Sequence, residues 1–171
     1  MISSVKLRYM TDSNFTDSSG RPRAVDTIIW GGLVAGILDA TDGVIVFGLN
    51  GMSPIQVLQY IASGLLGPNS FKGGLATAAL GTVLHFFIAF VAAGVYYAAC
   101  LKLPALYRQA TTWGLAFGVV VYFFMNYFVL PLSAVPTRPF SMPLFLNGVI
   151  GHALFVGLPI AWFARRSART A

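Results

Sequence analysis

Asp39 and Asp42 stand three residues apart in "GGLVAGILDATDGVIVFGLNG", residues 31–51, a stretch that is otherwise soluble in lipid. His85, His152, Asn126 and Tyr122 stand in equally apolar surroundings further along the chain. Carboxylates and imidazoles in such places suit the taking up, passing on or neutralising of a proton or cation. Two ionised carboxylates at i and i+3 repel each other in a dry site, so one is expected to hold a proton or to face a positive charge. An imidazolium or a bound metal would serve equally well, which makes Asp39, Asp42, His85 and His152 candidate metal ligands too.

These side chains need elements to carry them. Of 171 residues, 57% are hydrophobic and 9% charged, far below the roughly 25% charged of soluble domains. Apolar runs of about 20 residues recur, the length a bilayer core of ~30 Å requires of a helix. The expected fold is therefore all-α and polytopic. Its four transmembrane helices lie at about 26–49, 74–101, 111–133 and 143–164, together a domain of residues 24–166. Residues 1–23 read as a polar tail without the apolar core of a signal peptide, and residues 167–171 as a short basic tail. The sequon at Asn14 falls in the first of these.

Charge sets the expected orientation. Lys6, Arg8, Arg21, Arg23, Lys102, Arg108, Arg165, Arg166 and Arg169 fall on one side and only Lys72 and Arg138 on the other, nine against two. The positive-inside rule then puts both termini in the cytoplasm. Trp30, Trp113 and Trp162 fall near the same interface, as an aromatic belt would. The net charge of +6 is too dispersed for a nucleic-acid stripe, so no nucleic-acid partner is expected; the bilayer is. The single cysteine, Cys100, allows no intrachain disulfide and reads as a buried or interfacial thiol, with acylation as the lesser alternative.

Between the first two spans, "SPIQVLQYIASGLLGP" predicts a short amphipathic surface helix at 53–67, with Ser53 as N-cap and Pro54 at its first position. Ile55, Leu58, Ile61, Ala62 and Leu65 share one face, with Gln56, Gln59 and Ser63 on another, so the apolar face is expected to lie on the bundle or in lipid. The two halves are faintly alike: "WGGLVAG" and "WGLAFG" open the first and third spans, and "LGTVLH" and "NGVIGH" lie in the second and fourth. A two-span unit repeated in parallel orientation fits these spacings, as does chance similarity.

Counting inward at ~1.5 Å per residue puts Asp39, Asp42, His85, Asn126 and His152 roughly 10 to 17 Å below the outer surface. Small-residue stripes run with them: Gly32, Gly36, Asp39 and Gly43 on the first span, Gly118, Tyr122 and Asn126 on the third. The expectation is a polar cluster inside a four-helix bundle, with Tyr122 and Asn126 lining it. The bland reading treats each polar group as an interhelical fastener worth about 0.6 to 2 kcal/mol. Pro131 and Pro159 are expected to kink the third and fourth spans.

From Trp30 to about Arg166, in "WGGLVAGILD", "PIQVLQYIASGLLGP", "GGLATAALGTVLHF", "MNYFVLPLSAVP", "RPFS" and "NGVIGHALFVGLPI", the chain resembles an uncharacterised family of small four-span bacterial inner-membrane proteins. The resemblance implies a bacterial inner-membrane location and supplies no activity. Three functions stay open. The first is proton or cation handling, in transport or as a channel, through the Asp/His cluster. The second is an accessory or assembly subunit of a larger membrane complex or a homo-oligomer. The third is a haem- or metal-binding protein, with His85 and His152 as ligands. No catalytic residue set, phosphate loop, G-x-S-x-G, H-E-x-x-H or CxxC stands in the sequence. Neither an enzymatic activity nor a resident cofactor is expected.

Overall fold

A computed structural model describes residues 20–169; Asn14 and most of the N-terminal tail lie outside them. The described residues are helical with no strand. Four helices are long and apolar enough to cross a membrane: α1 (Val25–Leu49), α3 (Gly74–Lys102), α4 (Ala110–Leu132) and α5 (Met142–Arg169). A shorter helix, α2 (Pro54–Leu66), stands between α1 and α3. The last span continues to Arg169, beyond the residue 166 boundary drawn from sequence, so residues 167–169 are helix rather than tail.

The four long helices bring both described chain ends to one end of the bundle, where the Arg23 backbone N–H donates to Ser167 Oγ at 3.0 Å. This near end is solid. Ala35, Ala93, Tyr96, Cys100, Ile160, Ala161 and Ala164 form its core, all within 1% of full burial. The Tyr96 and Phe117 rings meet at 4.9 Å, and the Tyr96 hydroxyl donates to the Leu106 carbonyl at 2.9 Å. Cys100 is buried here, with its sulfur closed to acyl transfer.

Helices approach where side chains are smallest, because in lipid the association of helices rests on close packing rather than on hydrophobic drive. On α1, Gly32 and Gly36 receive the Phe90 and Phe86 rings of α3. On α4, a Cβ at Gly118 would fall 2.1 Å from the His152 carbonyl oxygen, and on α5 one at Gly157 would fall 2.0 Å from the Gly114 oxygen. Backbone therefore lies on backbone along the α4–α5 seam. The same holds at Gly81 of α3, where a Cβ would fall 1.8 Å from the Leu58 carbonyl oxygen of α2.

Ser53 caps α2 reciprocally with Gln56, and Pro54 opens the helix. Its two faces do not separate cleanly into inward and outward. Val57, Gln59, Ala62 and Ser63 are buried, whereas Ile55, Leu65 and Leu66 are 42%, 65% and 44% exposed. Gln59 Nε2 donates to the Gly74 carbonyl at 3.0 Å and to Thr77 Oγ1 at 3.2 Å, so Gln59 is turned inward and fastens α2 to the start of α3, while Gln56 stays exposed. Pro131 and Pro159 stand at irregular points of their helices. Each lies just beyond a widened, π-type stretch, Met125–Val129 and His152–Gly157 respectively. Proline lacks an N–H and its ring crowds the carbonyl four residues back, and an enlarged turn accommodates both.

Candidate functional site

The far half of the bundle is hollow. Beyond the level of Ala35, Ala92, Val121 and Val156 the long helices line a half-open cavity of about 810 Å³, bordered above by α2 and the 133–141 segment. Asp39, Asp42, His85, His152, Tyr122 and Asn126 all line it. The sequence-derived depth therefore brings these side chains to one space, but they do not close into a buried Asp/His cluster. Asp39, Asp42, His85 and His152 are each partly exposed to the cavity, and they sort into separate partnerships.

Asp39 Oδ1 lies 3.7 Å from His152 Nδ1. The same nitrogen stands 3.0 Å from the Gly148 carbonyl oxygen. A carbonyl only accepts, so Nδ1 carries the hydrogen and Nε2 is left as the basic nitrogen. The Tyr122 ring stands edge-on to the imidazole at 5.4 Å. It fits there because residue 148 is glycine: a Cβ at Gly148 would fall 2.3 Å from the ring.

Asp42 Oδ2 accepts from Asn147 Nδ2 at 2.8 Å, joining α1 to α5. A Cβ at Gly151 would come within 3.0 Å of the same oxygen, so Gly151 makes the space that this carboxylate uses. Asn147 is the residue that sequence reading missed. Its signal was available, since it stands in "LNGVIGH" five residues before His152.

His85 and Asn126 do less chemistry. His85 Nε2 stands 2.8 Å from the Gly36 carbonyl of α1, so it donates across the α1–α3 seam as a fastener and leaves Nδ1 basic. Asn126 Nδ2 donates to the Tyr122 carbonyl within its own helix at 2.9 Å. Among the described residues no group of three or more His, Cys, Asp or Glu could hold a metal ion.

The upper wall carries a cation. The Arg138 guanidinium lies over the Tyr60 ring at 4.2 Å and the Phe47 ring at 5.2 Å, with a contact from Nη2 to Met52 Sδ at 2.9 Å. The Ala134 N–H donates to the Gly64 carbonyl at 3.0 Å, pinning the same segment to α2. Burial raises the Tyr60 phenol above its usual value, and the Arg138 charge works in the opposite direction. At the near end Arg23 pairs with Asp26, which raises the guanidinium above its usual value.

No family model, no curated protein and no solved structure matches this chain. The resemblance to an uncharacterised family of small inner-membrane proteins accordingly finds no support in these comparisons, and the site has to be interpreted from its own geometry.

Proposed function

We propose that this is a small integral membrane protein of a bacterial inner membrane that handles protons or cations at the far-half cavity. Asp39 and Asp42 are the charge-bearing groups, and His152, with Nε2 as its basic nitrogen, is the imidazole beside Asp39. The observation that carries this reading is the cavity itself: two intramembrane carboxylates and two imidazoles from three helices line one space in which hydrocarbon cannot be their only neighbour. His85, tied to the Gly36 carbonyl, is a fastener first in this reading.

Transport would require a second opening through the near end, where Tyr96 packs on Phe117. The π-type stretches at Met125–Val129 and His152–Gly157 border the cavity and are the natural places for α4 and α5 to bend. The reading places both termini in the cytoplasm, on the side of Arg21, Arg23, Lys102, Arg108, Arg165, Arg166 and Arg169. It takes α2 as a helix at the outer membrane surface whose exposed Ile55, Leu65 and Leu66 meet lipid. It also takes the chain as a repeated two-span unit, since α1 meets α3 and α4 meets α5 through glycines in each half.

The test is ion flux in proteoliposomes of the full chain under an imposed pH or potassium gradient. Flux that falls at least about tenfold in Asp39→Asn and Asp42→Asn supports the proposal. Flux at wild-type level in both variants refutes it.

A further inference from the structure

We infer that the cavity binds an amphiphilic organic cation, with a delocalised charge and an apolar body, in preference to an inorganic ion. The inference rests on the cation-handling reading above and narrows it to a ligand class.

Size argues first. Sites for organic ligands run to about 300–1,000 Å³, mostly apolar with a few placed polar groups, and the 810 Å³ space falls in that range. A single sodium or potassium ion would rattle in it. Hard cations also need a shell of about six or more oxygens, whereas the two acids are engaged on separate partners and no metal-holding group of three is present among the described residues. The walls supply the wrong chemistry for a small ion and the right one for a large, weakly hydrated one.

Charge argues second. Asp39 has no strong donor: its partner is His152 Nδ1 at 3.7 Å, whose hydrogen is directed to the Gly148 carbonyl. Asp42 has a neutral donor, Asn147, on one oxygen. Among the described residues neither is paired with Lys or Arg, so the deep part of the cavity offers carboxylate oxygens without a resident cation on them.

The third observation is independent of the acids. A delocalised, weakly hydrated cation already sits against this cavity, the guanidinium of Arg138 on the Tyr60 and Phe47 rings. All three residues line the cavity, and the segment carrying Arg138 forms part of its upper wall. The ring pair is thus shaped for a planar cation, and the chain's own side chain occupies it. An incoming organic cation exchanges places with Arg138 on the rings, freeing the 133–141 segment to lift. It then moves inward to Asp39 and Asp42, where the Tyr122 ring flanks its apolar body. No bond is made or broken in this exchange; one cation replaces another.

The experiment uses the full chain in nanodiscs of zwitterionic lipid, with ethidium as the probe and tetraphenylphosphonium as its competitor. Phenanthridine, uncharged at the assay pH, serves as the neutral control. Saturable ethidium binding is expected, displaced by tetraphenylphosphonium and not by equal concentrations of sodium or potassium. The Asp39→Asn, Asp42→Asn double variant should bind at least about tenfold more weakly, the scale of one lost charge pair. Both substitutions keep side-chain volume, and unchanged helical circular dichroism with single-peak elution establishes that the variant is folded. Arg138→Ala should bind severalfold more tightly, because the resident competitor is gone.

The inference is overturned if phenanthridine binds as well as ethidium, which makes the space an apolar slot for a lipid chain. It is overturned equally by undiminished binding in the double variant or by no saturable binding at all. Asp-dependent proton flux without ethidium binding sinks this inference and spares the proposed function. Charge-dependent ethidium binding without any flux, of ions or of ethidium, keeps the site and sinks transport.

Discussion

Gly118→Ala probes the seam that positions His152, and its cost can be worked from the structure. The new Cβ would fall 2.1 Å from the His152 carbonyl oxygen and 2.6 Å from the Ala153 Cα. Ordinary contact is about 3.5 Å, so α4 and α5 must part locally by more than 1 Å. Both obstacles are backbone atoms and have no rotamer to give. Overpacking of this kind costs about 1–3 kcal/mol, and here the upper part of that range applies. Alanine recovers roughly 0.8–1 kcal/mol of helix propensity. The net expectation is destabilisation by about 2 kcal/mol, or a fall in melting temperature of about 4–8 °C. Gly94→Ala is the matched control: it lies on α3 with nothing within 4 Å of its Cβ, so only the propensity gain remains and the protein should hold or gain stability. The assay is thermal unfolding in one detergent, followed by circular dichroism, with proton flux measured beside it. Because the seam carries His152, flux should fall in Gly118→Ala and stay intact in Gly94→Ala. Equal melting temperatures for the two variants would show that the helices do not meet backbone on backbone, and the argument would fail.

Further outcomes follow from other contacts. His85→Leu removes the bond to the Gly36 carbonyl and should cost about 0.6 to 2 kcal/mol in the same unfolding assay. Arg138→Ala releases the 133–141 segment from the Tyr60 and Phe47 rings; protease cleavage there should quicken severalfold, as expected for about 0.5–1 kcal/mol of cation–π contact. Asn147→Leu leaves Asp42 without its donor and should lower stability by about 1.5–3 kcal/mol, whereas Asn147→Gln should recover part of the loss. The Tyr60 phenol titrates above the 10.0 of a free tyrosine. Its neutral form belongs to the folded state, so its stabilising contribution is full below pH 10 and is lost as pH rises through the folded value. Ultraviolet difference titration against Tyr60→Phe checks this, and removing Arg138 should move the midpoint further up.

The spans were legible because a bilayer imposes a length that few other constraints mimic, and each helix end came within a few residues except at Arg169. The start of α2 was legible for a local reason, the Ser53–Pro54–Gln56 cap. Its facing was not. Gln59 is held inward by the Gly74 carbonyl and Thr77, whereas Gln56 on the same face is spent on the cap and stays exposed, and periodicity does not distinguish the two. The level of the polar residues was legible from counting along helices. Their pairing was not, because Asp42 meeting Asn147 and His85 meeting Gly36 depend on how helices rotate and slide against one another. Arg138 was missed as a clasp because a loop residue 91 positions from Phe47 carries no periodic signal.

Density that is high at one end of a bundle and low at the other leaves the loosely filled end as the part with room to yield. The block around Tyr96, Cys100 and Ile160 is the pivot, and the arms are helices with room between them. A rotation of about 5° at the pivot carries a tip about 30 Å away through 2 to 3 Å, the length of 20 residues of helix serving as the lever. The contacts that oppose such a movement are few and local: Gln59 on Gly74, Ala134 on Gly64, and Arg138 on Phe47 and Tyr60.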